Sequence, residues 1–161
     1  MSQQLADATR IVTFRLGADL FAVDISAVER VLKYDTPRAI PNVPAWIEGV
    51  IEYQGHVVPV IDLRRRFELT DGGVGAQTRM LVFSTDAELV AVVVDAVLDV
   101  RPLPDADLAE PPAFFRGLAG EYLRGLARRD GELVVVLDAN RLLSSRDRLA
   151  LEPGLRAGSD G

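Results

Sequence analysis

The chain repeats itself, and this duplication limits its fold more than any other feature. Trp46–Phe67 aligns without a gap on Tyr122–Leu143. Gly49 then meets Gly125, Gly55 meets Gly131 and Asp62 meets Asp138, while Val58, Val60 and Arg65 meet Val134, Val136 and Arg141. A second pair of segments, Ile11–Val31 and Met80–Val100, brings Phe14, Leu20, Val23, Val28 and Val31 onto Phe83, Leu89, Val92, Val97 and Val100. The second copy has the longer middle segment, Arg101–Glu121. Each copy spans roughly 65–70 residues, little for a free-standing core. Two copies packed together share one core and cover each other's open sheet edges.

The runs inside each copy are strand-like. Phe21, Val23 and Ile25 alternate with Ala22 and Asp24, and Val57–Ile61, Met80–Phe83, Leu89–Val94 and Leu133–Leu137 are short and β-branched. Gly17-Ala18, Gln54-Gly55, Asp86-Ala87 and Asp130-Gly131 read as turns. The expected fold is mostly β: two pseudo-symmetric barrels of about five strands each sharing a core, with short helices and a C-terminal helix. A capping-box pattern at Ser26–Glu29 predicts a helix from Ala27 to about Lys33. Asp138 is placed to cap a longer helix through Leu149. One domain is expected over 11–150, its first barrel over about 11–79 and its second over about 80–150. Residues 1–10 and 152–161 read as flexible tails, and glycine-rich Asp71–Ala76 as a linker.

Composition narrows the chemistry. The 161 residues hold 18 Lys+Arg against 24 Asp+Glu, a net charge of −6, which argues against nucleic acid and anionic lipid as partners. No cysteine is present, so disulfides, thiol nucleophiles and thiolate metal sites are excluded. One histidine, His56, cannot build a poly-histidine metal site. The apolar runs stop well short of the roughly 20 residues of a membrane helix. Polar Met1–Arg10 has no secretion-signal core, so the chain reads as soluble and cytoplasmic.

No catalytic constellation stands out. One aspartate per repeat invites comparison with a paired-carboxylate enzyme, but Asp62-Leu63-Arg64 and Asp138-Ala139-Asn140 read as caps after a strand. His56 reads as an exposed turn residue without a nucleophile beside it. Arg64-Arg65-Arg66 reads as a solvated helix face, and Pro59 as the mark of an edge strand or bulge. The stiff segment Pro37–Trp46 carries Ile40, Val43 and Trp46 and fits two readings, a lid on the core or an exposed docking loop. No cofactor or metal is expected, and the chain reads as a non-enzyme.

The segments together resemble the CheW family of chemotaxis adaptors. The resemblance is carried by Phe14–Gly17, Phe21–Ile25, Ile40–Pro44 leading into Ile47–Val50, Gly55–Arg64, Val92–Val100, Tyr122–Gly125 and Val135–Asp138, and it covers about residues 11–145. It implies two SH3-like five-stranded barrels around a shared core, and an adaptor between chemoreceptor tips and the regulatory domain of a CheA-type histidine kinase, with no nucleic acid and no membrane insertion. Carried over residue by residue, the receptor-facing candidates are Ile25, Val28, Arg30, Val31, Gln54, Val92 and Val97. The kinase-facing candidates are Ile40, Val43, Pro44 and Trp46. A competing or accessory module that binds kinase or receptor without coupling them is the alternative. Two positions depart from the family pattern: Gln54 stands at its usual arginine, and Arg30 aligns with its usual acid, although Glu29 precedes it. An arginine at 54 beside Arg30 would be repulsive, so the two changes are expected together, on a receptor surface that has co-adapted. The double substitution Arg30→Glu with Gln54→Arg is expected to change receptor affinity; an unchanged affinity in a binding titration refutes the co-adaptation.

Overall fold

The computed structural model describes residues 9–67, 69, 73–86, 88–110 and 122–142. Among these residues eleven strands form two sheets. In chain order they are β1 (Thr9–Leu16), β2 (Asp19–Asp24), β3 (Val28–Lys33), β4 (Ile47–Tyr53), β5 (His56–Asp62), β6 (Arg79–Ser84), β7 (Leu89–Val94), β8 (Ala96–Leu103), β9 (Leu108–Ala109), β10 (Leu123–Arg129) and β11 (Glu132–Leu137). A one-turn helix, α1 (Leu63–Arg66), follows β5. One sheet runs β8-β1-β2-β11-β10-β9 and the other β3-β6-β7-β5-β4.

The strand orders show how the duplication is used. Replacing each strand by its repeat mate converts one sheet into the other, with the bridge Arg38↔Val50 standing where β9 pairs β10. The two copies exchange their first hairpins. β1 and β2 lie beside β8 and β11 of the other copy, and β6 and β7 lie beside β3 and β5. Both exchanges are sealed by parallel pairs at equivalent registers, Val136↔Ala22 and Val60↔Ala91. The expected boundary at residue 79/80 is therefore corrected, since each barrel draws on both halves of the sequence. A two-stranded ribbon is marginal by itself, and here each ribbon completes the sheet of the other copy. The segment around Gly73–Ala76 does not link barrels either, because β5 and β6 on its two sides belong to the same sheet.

Three apolar clusters follow from this arrangement. Ile11, Leu20, Ala22, Val134 and Val136 fill one barrel. Their counterparts Met80, Ala91, Val58 and Val60 help fill the other. Between the barrels a larger cluster takes Phe14, Phe21 and Val23 from one sheet and Ile61, Leu81, Phe83 and Val92 from the other. This is the shared core expected from the repeats.

Local details explain where the sequence reading fails. The helix expected over Ala27–Lys33 is strand β3, preceded by a 3-10 turn at Ile25–Ala27. Asp24 caps that turn by accepting the Ser26 amide, so Ser26 does not open a helix. The open edge of β6 then recruits Val28–Lys33 as a strand, and β-branched Val28 and Val31 fit a pleated surface. Pro59 lies on an interior strand, not at an edge or bulge. Val50 exchanges both its backbone hydrogen bonds with Arg38, on the far side from β5. Val50↔Pro59 is thus a non-hydrogen-bonded pair, and the missing donor of Pro59 costs β4 nothing. Asp138 caps a 3-10 turn at Ala139–Arg141. The helix expected to continue from there, and both tails apart from Thr9 and Arg10, lie outside the described residues.

The two hairpin tips match. Gln54 and Gly55 have φ of 48° and 80°, and Asp130 and Gly131 have 53° and 78°. Two successive positive φ angles are the turn that suits strand twist. Gly49 is constrained differently. Its φ is +147°, and an added Cβ would fall 2.1 Å from the Arg38 carbonyl oxygen. At Gly131 an added Cβ meets nothing within 4 Å. Gly49→Ala is expected to destabilise by about 2–3 kcal/mol through overpacking against fixed backbone. Gly131→Ala is expected to cost about 1–2 kcal/mol from its left-handed backbone alone. Urea unfolding of both variants measures the difference.

Candidate functional site

Asp62 ends β5 and opens α1. Its carboxylate accepts the Arg64 amide at 2.9 Å, and it is fully buried. The Arg64 guanidinium returns to the same carboxylate through Nε and Nη2, both at 3.2 Å. Its Nη1 donates to Asp95 Oδ1 and to the Gly73 carbonyl, each at 2.8 Å. Asp95 is the residue at which the chain crosses from β7 to β8, that is, from one sheet to the other. Its Oδ2 accepts the Gly17 amide at 2.6 Å, and its own amide donates to the Arg15 carbonyl at 2.9 Å. One buried guanidinium thus holds the crossover, the α1 cap and the turn of the exchanged hairpin. The repeat mate of Arg64, Asn140, makes a shorter version of this latch by accepting the Asp86 amide at 2.9 Å.

The next two arginines of α1 face elsewhere. Arg65 is exposed and donates to the Ala45 carbonyl at 3.3 Å. Arg66 lies 4.2 Å from the Trp46 ring centre and 5.0 Å from that of Tyr122, and donates to the Tyr122 hydroxyl. Trp46 and Tyr122 are repeat mates, so this cation stacks at the seam between the copies. Stacked Phe21 and Phe67 continue the aromatic chain into the shared core. The reading of Arg64–Arg66 as a solvated face is corrected: only Arg65 is mostly exposed, because the Asp62 cap turns Arg64 inward.

Among the receptor-facing candidates, Ile25 and Val31 are large apolar side chains left 39% and 45% exposed. Arg30 and Gln54 are also exposed. Val28 and Val97 are half-buried against the shared core. Val92 is wholly buried, since β7 lies between β6 and β5; it supports the surface and cannot itself touch a partner. Among the kinase-facing candidates, Ile40, Val43 and Trp46 lie half-buried on the shared core, which is the lid reading, while Pro44 is exposed.

The sequence reading missed the bulge in β3. The β3/β6 register shifts between Val28 and Arg30, which leaves Glu29 as the extra residue. Glu29, not Arg30, lines an open cleft with Gln54, His56 and Ser84. His56 is exposed there as the first residue of β5, just after the turn. Across the edges of the second sheet, Tyr34 donates to Glu48 at 3.0 Å. Burial, then the bond to Glu48, pushes the Tyr34 hydroxyl up to about 12. Burial also raises Glu48, against the opposing hydrogen bond from Tyr34. The Thr13 hydroxyl, then Arg101, lowers Asp99 on β8.

Asp62 and Asp138 are both engaged as caps, and each has an arginine beside it. Among the described residues no group of His, Cys, Asp and Glu could hold a metal, and no helix is long and apolar enough to cross a membrane. Two fused SH3-like barrels with exposed apolar edges define a scaffold class of protein.

The CheW-like domain profile matches residues 10–147. Chemotaxis protein CheW of Klebsiella aerogenes is 34% identical, over 83% of this chain and 81% of its own length. FrzA of Myxococcus xanthus is 32% identical, over 86% and 87%. The crystal structure of the scaffolding protein TtCheW from Thermoanaerobacter tengcongensis superposes with a TM-score of 0.80 at 28% identity, covering 87% of this chain and 90% of that one. The chain belongs to the CheW family, whose members are scaffold proteins of chemotaxis signalling and not enzymes.

Removing the buried arginine leaves the buried Asp62 carboxylate with the amides it caps and the exposed Arg65 to meet its charge. Arg64→Ala is expected to cost about 3–5 kcal/mol in chemical denaturation. Arg65→Ala, which removes an exposed partner of the same carboxylate, is expected to cost under about 1 kcal/mol.

Proposed function

We propose that this protein couples chemoreceptors to a CheA-type histidine kinase, in the cytoplasm at membrane-bound receptor arrays. The observation that carries this reading is an apolar edge beside a polar hairpin tip. Ile25 and Val31 are exposed around the bulged edge strand β3, with Arg30 on that strand and Gln54 at the β4–β5 tip. Such an edge suits an amphipathic receptor helix, whose apolar side chains would cover Ile25 and Val31. Val28 and Val97 support it from beneath. The kinase regulatory domain meets the other candidate face, Pro44 and the outer sides of Ile40, Val43 and Trp46.

The buried arginine gives the two faces a common support. Arg64 fixes Asp95, two residues from Val97, and Arg66, two positions along the same turn, stacks on Trp46. Receptor contact would act on the kinase by shifting the population of its active arrangement, with no chemistry in this chain.

A binding experiment with purified components tests this. The chain is expected to bind a soluble receptor signalling fragment and the kinase regulatory domain together. Ile25→Glu with Val31→Glu is expected to weaken receptor binding by about tenfold or more, about 1.4 kcal/mol, and to leave kinase binding unchanged. Kinase binding without receptor binding by the unaltered chain favours the competing-module reading. Binding to neither overturns the adaptor function.

A further inference from the structure

The second sheet is closed by a phenol and a carboxyl group. Its two edge strands are β3 and β4. Tyr34 follows the last residue of β3, and its hydroxyl donates to Glu48 Oε2 at 3.0 Å. Glu48 reaches that edge because β4 bulges: the β4/β5 register shifts between Ile47 and Gly49, which leaves Glu48 as the extra residue. The same bulge sets its carboxyl group against that of buried Asp62, and the two hydrogen-bond. The repeats place Leu103 and Arg124 at the equivalent positions of the other barrel. Leu103 is buried in the apolar cluster there, and Arg124 lies 3.7 Å from Asp24, so the closure belongs to one copy.

Two carboxyl groups in hydrogen-bond contact need a proton between them. Asp62 already accepts from the Arg64 amide and from the Arg64 guanidinium, so its oxygens serve as acceptors. The shared proton therefore belongs to Glu48, which donates to Asp62 and accepts from Tyr34. The groups that face Glu48 are Tyr34 beyond β3, Asp62 at the end of β5 and Arg65 on α1, while Arg64 acts on the Tyr34 end. Arg65 favours loss of the proton, but it is exposed and water screens it. Arg38 meets the outer edge of β4 through its backbone, with its side chain exposed. Burial, more than any charge, keeps the proton on Glu48 above the usual carboxylate range, and Tyr34 stays a hydroxyl donor throughout.

We propose that Glu48 is a proton-operated latch between the two edges of the second barrel. With its proton it bonds Asp62 on one side and Tyr34 on the other, and so holds the end of β3 to β4. Without the proton two carboxylates face each other in a half-buried place, and Glu48 turns to water and releases Tyr34. The unfolded chain gives up this proton in the usual carboxylate range, and the folded chain keeps it to higher pH. The latch therefore stabilises fully below that range, and its contribution falls as pH rises through the Glu48 titration. β3 carries Arg30 and Val31, so a loosened end at Tyr34 also unsettles the proposed receptor edge. That consequence alone rests on the adaptor reading.

The test follows the full chain by NMR, labelled at its glutamate carboxyl carbons, from the carboxylate range up to about pH 9. Glu48 is expected to titrate above the usual glutamate range. Exchange protection of the β3 amides that bond β6, corrected for intrinsic rate, is expected to fall about tenfold in step with it. Glu48→Gln keeps an acceptor for Tyr34 and a donor for Asp62, and is expected to hold protection at its low-pH level throughout. Tyr34→Phe cuts the link to β3 and leaves the carboxyl pair, so Glu48 is expected still to titrate high while β3 protection no longer follows it. A Glu48 titration in the ordinary range, β3 protection that ignores it, or a pH response that survives in either variant overturns the latch. Affinity for the soluble receptor fragment is expected to fall about threefold to fivefold as Glu48 loses its proton, and Glu48→Gln to remove that part of the pH dependence. Equal pH dependence in the two proteins overturns the effect on the receptor edge while the latch stands. A chain that binds the receptor fragment at no pH overturns the adaptor reading, and the exchange result alone then decides the latch.

Discussion

Arg64 is among the largest fully buried side chains in the molecule, and its charge has to be met where water cannot reach. Asp62 and Asp95 meet it from two directions, and Gly73 adds a carbonyl. The fold depends on that demand because Asp95 stands where the chain leaves one sheet for the other. Its carboxylate also holds the Gly17 amide in the exchanged hairpin. A buried ion pair of this kind adds little net stability over an apolar substitute, but losing one member is costly. Its main effect here is on geometry: one arrangement of crossover, cap and turn satisfies every member.

The hairpin exchange gives two small barrels one mechanical body. Neither barrel has sheet edges that close within one half of the sequence, so the shared cluster around Phe14, Phe21, Phe83 and Val92 is built only when both halves are in place. Against this near-symmetry the differences stand out as the parts free to specialise. Trp46 and Tyr122 are equivalent, yet Arg66 stacks against both, and its mate Leu142 is a buried apolar residue. Specialisation of that kind suits a scaffold that meets different partners on different faces.

Much of this was legible in the residues. The pairs Gly49/Gly125 and Asp62/Asp138 marked the repeats, and both aspartates cap turns after a strand. The valine-rich runs became strands, and the β4–β5 and β10–β11 tips fell where Gln54-Gly55 and Asp130-Gly131 placed them. Exposed Ile25, Val31 and Gln54 fit a surface role. Val92 did not: Leu89–Val94 is an unbroken apolar run, the pattern of a strand covered on both faces, and only the assembled sheets show what covers it. Arg64 was misread for a related reason: a charged triplet looks solvated until its buried acids are known. Glu29 was noted beside Arg30 but not placed on the candidate surface, because a one-residue bulge, set by pairing with β6, decides which of two adjacent side chains turns toward Gln54.

Local rules written into the sequence therefore determined the strands, the tight turns and the caps, since each depends on residues within a few positions of one another, and the duplication could be read by aligning the sequence on itself. The tertiary structure decided which copy each hairpin joins, why Val28–Lys33 is a strand despite a helix-start pattern, and which arginine is buried. Those outcomes rest on hydrogen-bonding edges and charges far apart in the chain. An unpaired edge or an unmet charge is costly wherever it lies, and only the assembled fold shows which group comes to meet it.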